Sequence, residues 1–464
     1  MILFLVFAEF SFSIVKFGTV IDAGGSNTQV YVFKWNDADP IPAPSLITTT
    51  DPTQNKSVSL VLDRCLYDQT IIPSIFPELL SYARAAILEN GGTVGGLNST
   101  ELYVRGTSSM RDLSEREQET VINKTLDYLY NNSDFNVTDD SVAVLDANEE
   151  AIFAWVSVNL ALQKTQGQTV PVIGISRGNN YYVIEHGDTK YSKYIHSINF
   201  VGSNVKLVVY VDTKKSIGRA IVNHTLQEAR VIGRADINSS CYVDGSTNED
   251  EDDIIILVNG IGGYNLCNES LAKRTLSHEA NYPYPLYFFD RVSLPIPTDK
   301  VYAVGSYYST YEYIWNNLTS TSGIYLNNAT VDQMITIGTE YCNYDLTELK
   351  DRFPNVAESY LATDCFEFVY TNRLLKYGYQ IPSIERVKKI NGNSIGWQQG
   401  VILSRVLGEP DEEEIEQSQI FGIVTGAVVF LIIIVLSTIL IRRCTNKNKE
   451  EAQKRSKRPV YDND

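Results

Sequence analysis

A run of 22 residues from Ile420 to Ile441, IFGIVTGAVVFLIIIVLSTILI, carries no charged side chain. As a helix it is long enough to cross the ~30 Å hydrocarbon layer of a bilayer. A buried core helix is the alternative, but core helices seldom stay uncharged for this length. Residues 442–464 after it hold eight Lys or Arg against four Asp or Glu, and such a basic excess faces the cytosol. The expected arrangement is single-pass type I, with everything before Ile420 extracellular or in the secretory-pathway lumen.

Other features follow that topology. Ile2–Ala8 is apolar and small residues follow around Ser11 and Ser13, so 1–16 reads as a signal peptide without the usual basic start. A first strand beginning before Phe17 is the alternative. Ten Asn-x-Ser/Thr sequons, at Asn55, Asn98, Asn123, Asn131, Asn136, Asn223, Asn238, Asn268, Asn317 and Asn328, all precede the span. Of six cysteines, Cys65, Cys241, Cys267, Cys342 and Cys365 lie outside and Cys444 just inside. The odd outer number leaves one thiol unpaired or bonded to another chain. Cys444, beside Arg442 and Arg443, fits palmitoylation and a plain juxtamembrane thiol equally. Glu409–Gln419, EPDEEEIEQSQ, is an acidic stalk.

A chain of 464 residues exceeds what one core organises, so two lobes are expected, at 17–165 and 166–408, the C-terminal helix returning to the first. The formal charge of -17 disfavours nucleic acid as a partner and leaves any phosphate site dependent on backbone amides or a cation. Residues 18–35 read as strand, small-residue turn and strand. Helical character at Ala83–Glu89 and Ser114–Asn131, with a strand at Leu102–Arg105 between, gives an α/β class. Pro171–Glu185 repeats the first hairpin's layout about 150 residues later. Two RNase H-like lobes facing across a cleft, the actin and sugar-kinase architecture, would produce this repeat; two unrelated hairpins fit the spacing equally. Asn248–Asp253, NEDEDD, reads as a solvated acidic loop, since it lacks the Gly and final Glu of an EF-hand.

Three segments could carry chemistry. In DAGGSNT (Asp22–Thr28), Gly24 and Gly25 expose backbone N–H groups to a phosphate, and Asp22 could hold a hydrated cation against it; a plain Gly/Ser/Asn turn is the bland reading. In VRGTSSMRDL (Val104–Leu113), Thr107, Ser108 and Arg111 could reach a phosphate, or a hydroxyl could simply cap a helix. In DANEEAIFAWVSVN (Asp146–Asn159), Glu149 and Glu150 sit in a first helical turn, where a carboxylate either complements the helix dipole or serves as a general base.

In this order and spacing the three segments resemble the first three conserved regions of the ecto-apyrases, the ectonucleoside triphosphate diphosphohydrolases. The family forms DAGSSHT, GATAGMR and EEGxYGWxxxN read here DAGGSNT, RGTSSMR and EEAIFAWVSVN. Val301–Ile314, EYCNYDLTELKDRFP, Tyr360–Tyr379 and Ile390–Leu403 extend the similarity through the C-terminal half. The resemblance implies hydrolysis of the terminal phosphate of nucleoside tri- or diphosphates, with Ca2+ or Mg2+ as cofactor. It assigns phosphate to Gly24, Gly25, Ser26, Thr28, Thr107 and Arg111, the cation through water to Asp22, and water activation to Glu150. It places Tyr370 with Tyr307 or Tyr308 on the base and Trp397 at the lower edge, where a core role is an equal alternative, and it implies disulfides Cys241–Cys267 and Cys342–Cys365. The fourth region, DLGGASTQ in the family, reads GISRGNNY here, so Gly174, Ser176, Arg177, Asn179, Asn180 and Tyr181 form a degenerate second loop. Gly174 replaces a second Asp, which makes a catalytically weak or inactive nucleotide-binding ectodomain the alternative function. Arg177 could supply charge in the cation's place. A sugar-kinase-like transferase would share the fold without the C-terminal motifs.

Overall fold

Alternating apolar residues drive the first hairpin: strand β1 (Val15–Ala23) buries Gly18–Ile21 and pairs antiparallel with β2 (Thr28–Asn36), setting Asp22 opposite Gln29. The computed structural model describes residues 15–25, 27–37, 39, 44–175, 180–212, 236–250, 256–275, 294–297, 300–312, 314, 318 and 328–407. Ser26, Ser176, Arg177, Asn179, residues 1–14, 251–253 of the acidic run, Asn223, Asn317, the stalk, the expected span, Cys444 and the tail lie outside the described residues. Val15 and Lys16, expected in the leader, instead open β1 by pairing with Asn36 and Trp35.

The first sheet is ordered β3 (Ser45–Ile47), β2, β1, β5 (Glu101–Gly106), β6 (Val142–Val144), with β4 (Ser57–Val58) added to β2. Strands β1, β5 and β6 are parallel, so their C-terminal ends share one edge. Helix α1 (Ile71–Glu89) begins well before the expected Ala83. Pro73 stands in the first turn, where no intrahelical N–H bond is lost, and burial of Ile72, Ile75, Phe76 and Leu79 carries the helix past Pro77. Alone among the described helices, α1 is long and apolar enough to cross a bilayer; its inner face is packed into the first core. A short α2 (Ser108–Arg111) follows β5. Helix α3 (Glu115–Asn132) starts at a Ser114–Glu117 capping box and adds Val121 and Leu129 to the same core. Cys65 is a free, buried thiol there, so the odd cysteine among the five ahead of residue 420 is unpaired.

Helix α4 (Ala147–Ala161) leads to β7 (Val172–Ile175), β8 (Asn180–Glu185), β9 (Ile195–Phe200) and β10 (Ser203–Asp212). A separate small sheet joins β11 (Asp236–Ser239), β12 (Thr247–Asp250) and β13 (Ile256–Gly260), so the first part of the expected acidic loop is strand. With β14 (Val301–Gly305), β15 (Asn328–Thr330) and β16 (Ser383–Arg386), the second large sheet is ordered β15-β16-β14-β7-β8-β10-β9. It repeats the first sheet's pattern: an antiparallel hairpin whose first strand then pairs in parallel, β7 with β14 as β1 with β5. Helices α5 (Tyr264–Thr275), α6 (Ser306–Glu312), α7 (Val331–Cys342), α8 (Leu346–Arg352) and α9 (Glu358–Arg373) contribute residues to the core on that sheet. Disulfides Cys241–Cys267 and Cys342–Cys365 are buried in it, at sequence separations of 26 and 23, and loops of that size remove on the order of 3 kcal/mol of unfolded-state entropy.

Two crossing helices join the sheets. Although α4 precedes residue 165, it packs on the second sheet, where Trp155 meets Phe200 edge-on at 4.9 Å. Helix α10 (Trp397–Leu407) returns to the first sheet, placing Val401 and Ile402 against Val20, Phe33, Trp35 and Tyr103. At their crossing a Cβ on Gly400 would stand 2.6 Å from Phe153 Cα. We expect Gly400→Ala to lower stability by about 1–3 kcal/mol, read as a drop in thermal midpoint. Gly95→Ala, which would meet nothing within 4 Å, serves as control, and equal midpoints would refute the close approach.

Candidate active site

The C-terminal ends of β1, β5 and β6 converge, the place where open α/β sheets bind ligands. From β1 comes Asp22, and the Thr107 N–H after β5 donates to the Ala23 carbonyl at 3.1 Å, holding α2 beside the first turn. Gly25 lies against this segment, where a Cβ would stand 2.8 Å from Ser108 Oγ. After β6, Asp146 caps α4, and Glu149 Oε2 accepts from the Asp146 N–H at 3.0 Å. That capping box occupies Glu149 and leaves Glu150, one residue on, pointing inward at 3% exposure. Arg111 Nη2 donates to Glu150 Oε2 at 3.0 Å and its Nη1 to the Leu145 carbonyl at 2.8 Å.

Asp22 is the electrostatic anomaly of the site. Burial pushes its carboxyl up to about 7; a hydrogen bond from Gln398 opposes that rise, the charge of Glu150 adds to it and Arg111 lowers it. Gln398 Nε2 donates to Oδ2 at 2.9 Å, while Oδ1 is buried with no hydrogen-bond partner. Ser109 Oγ, on α2, is likewise buried and unpartnered. An orphaned carboxylate oxygen and hydroxyl beside a glycine turn are the groups that a hydrated divalent cation on a phosphate would satisfy, so the first hairpin fits that ion. At the matching place in the second hairpin stands Gly174, opposite Tyr181, with no side chain to offer such an ion.

The other expected residues differ in what they touch. Thr28 faces the core, where its hydroxyl donates to the Leu60 carbonyl at 2.8 Å, so it is not available to phosphate. The Gly24 N–H closes the turn onto the Asn27 carbonyl at 3.0 Å. Thr107 lies at the start of α2 and its hydroxyl makes no capping bond. Tyr370, expected against a base, is 2% exposed: Asn180 Nδ2 donates to its hydroxyl and Phe366 stacks on it at 5.7 Å. Tyr307 is buried, whereas Tyr308 is half-buried with Lys388 Nζ 5.8 Å over its ring. Trp397 packs against apolar clusters of both sheets.

Sequence reasoning missed Gln398 and Gln399. Gln399 bridges Ser157 Oγ of α4 and the Pro44 carbonyl, both at 2.5 Å. The available signal was a pair of amides at the start of an otherwise apolar helix. A cavity of about 690 Å3 lined by Lys16, Asp37, Thr93 and Glu101 lies at the opposite end of β1 and β5 from this site.

Comparison with known proteins identifies the family. The chain is 23% identical over 505 residues to ectonucleoside triphosphate diphosphohydrolase 1 of Bos taurus, covering 92% of this chain and 89% of the relative. It is 22% identical to the Golgi apyrase of Saccharomyces cerevisiae, over 84% and 70% of the two chains. A crystal structure of nucleoside triphosphate hydrolases from Neospora caninum shares the fold with a TM-score of 0.56 at 13% identity, covering 85% and 93%. With its family model matched from residue 11 to residue 418, the chain belongs to the GDA1/CD39 (nucleoside phosphatase) family.

Proposed function

We propose that the protein hydrolyses the terminal phosphate of nucleoside tri- or diphosphates outside the cytosol, with its two sheets as two lobes closing on the nucleotide and residues 420–441 as the membrane anchor. One observation carries the reading: Asp22, Arg111 and Glu150, from three separate segments, are brought into one electrostatic cluster at the strand ends. A Ca2+ or Mg2+ ion, when bound, would supply positive charge to the phosphate oxygens, and Asp22 is the residue that would hold its waters.

The chain's own residues do the rest. Arg111 holds the Glu150 side chain turned inward in the absence of substrate. An incoming phosphate competes for the same guanidinium through charge-assisted hydrogen bonds. As Arg111 turns to phosphate oxygen, the Glu150 carboxylate can accept the proton of a water in line with the terminal phosphorus. The Ser109 and Thr107 hydroxyls would donate to the same phosphate, and the half-buried ring of Tyr308 would meet a base. A second reading, nucleotide binding without turnover, is favoured by Gly174 at the mouth of the second hairpin.

Phosphate release from ATP, ADP, UDP and GDP with Ca2+ or Mg2+ separates the two readings. Glu150→Gln is expected to lower the rate on the order of 10²-fold or more, and equal rates for the two proteins would leave binding alone. Asp22 gives a pH test in the presence of a chelator. Its native carboxyl keeps a proton up to about pH 7 that the unfolded chain releases near its ordinary 3.8, so native stability falls as pH rises between those values. Asp22→Asn has no such proton; its thermal midpoint should gain on wild type more at pH 8 than at pH 4. A constant offset at both pH values would contradict the burial of an ionisable Asp22.

A further inference from the structure

The two hairpins allow a comparison within the chain. In β1–β2, Asp22 faces Gln29 across the ladder, and in β7–β8 the corresponding pair is Gly174 and Tyr181. The parallel neighbours correspond as well, β5 beside β1 and β14 beside β7. Position 174 thus holds in the second sheet the place that Asp22 holds in the first.

That place is filled from across the ladder. A Cβ on Gly174 would stand 2.6 Å from Tyr181 Cε2, and closer still to Cζ and the hydroxyl oxygen. The tip of the phenol therefore lies where a side chain at 174 would emerge. Tyr181 is fixed there by burial against Ala151, Trp155, Val183 and Val304, and it lies within the field of the Glu150 charge. A carboxylate is an anionic acceptor able to orient a cation's waters, whereas a phenol is neutral and donates one hydrogen bond. Replacing one by the other removes a negative charge from that side of the site and leaves a donor.

We infer that Tyr181 excludes a second cation-supporting carboxylate from position 174, so among the described residues of the two hairpins a divalent cation is supported from the Asp22 side, and residues 174 and 181 form a coupled pair. The inference rests on the proposed function only in taking a cation to bind beside Asp22.

The test titrates Mn2+, read by electron paramagnetic resonance, into the full-length protein in lipid nanodiscs, as wild type, Asp22→Asn and the double variant Gly174→Asp/Tyr181→Gln. Weak binding by wild type, its loss in Asp22→Asn and binding 10–100-fold tighter in the double variant are expected, the range typical of a supporting partner. Wild-type affinity retained in Asp22→Asn, or no saturable binding in any of the three, would count against the cation reading itself. Binding lost in Asp22→Asn but no tighter in a double variant that keeps a cooperative thermal transition would overturn the inference and leave that reading standing. A metal-free cycle covers a double variant that does not fold. Gly174→Ala should lower the thermal midpoint by roughly 3 °C or more beside Tyr181 and leave it unchanged in a Tyr181→Gln background; equal shifts in both would overturn the exclusion.

Discussion

The ion pair between the half-buried Arg111 and the buried Glu150 is the interaction on which the site depends. Taking the Glu150 carboxylate out of water is costly, so the pair persists only where geometry and further hydrogen bonds offset that cost. Here Arg111 gains the Leu145 carbonyl as well as Glu150, and the Glu149–Asp146 capping box fixes the helix turn that presents Glu150. The pair ties the segment after β5 to the segment after β6. Asp22, left between them with one oxygen unsatisfied, is the part of the cluster built to receive something.

Rigidity for that cluster comes from the two helices that cross between the sheets. Gly400 lets α10 lie directly on α4, and the consecutive amides Gln398 and Gln399 hold Asp22 on one side and Ser157 on the other. A residue near the C-terminal end of the described fold therefore orients a carboxylate near its beginning.

Local patterns made much of this legible in advance. Both hairpins, β5, α3 and the three segments of the site follow from alternation, capping residues and glycine turns, all short-range signals. What stayed hidden depends on tertiary burial. The two prolines masked the first half of α1, whose inner face is buried in the core. Thr28 opens β2 and its side chain falls on the inner face, a matter of register and not of residue type. Tyr370 belongs to a helix whose aromatic neighbours enclose it, and Asn180 of the second hairpin claims its hydroxyl. Gln398 and the Gly174–Tyr181 exchange are contacts between segments hundreds of residues apart or across a ladder, which a linear reading sees only as single substitutions.

The central claim is that the terminal phosphate of a nucleotide sits between the Asp22 turn and α2 and takes Arg111 from Glu150. A structure of the full-length protein with a non-hydrolysable nucleoside triphosphate and Ca2+ tests it most directly. The terminal phosphate is expected against Ser109 and Arg111, with Glu150 facing a water opposite the bridging oxygen. Nucleotide bound elsewhere, with the Arg111–Glu150 pair still closed at 3.0 Å, would contradict it.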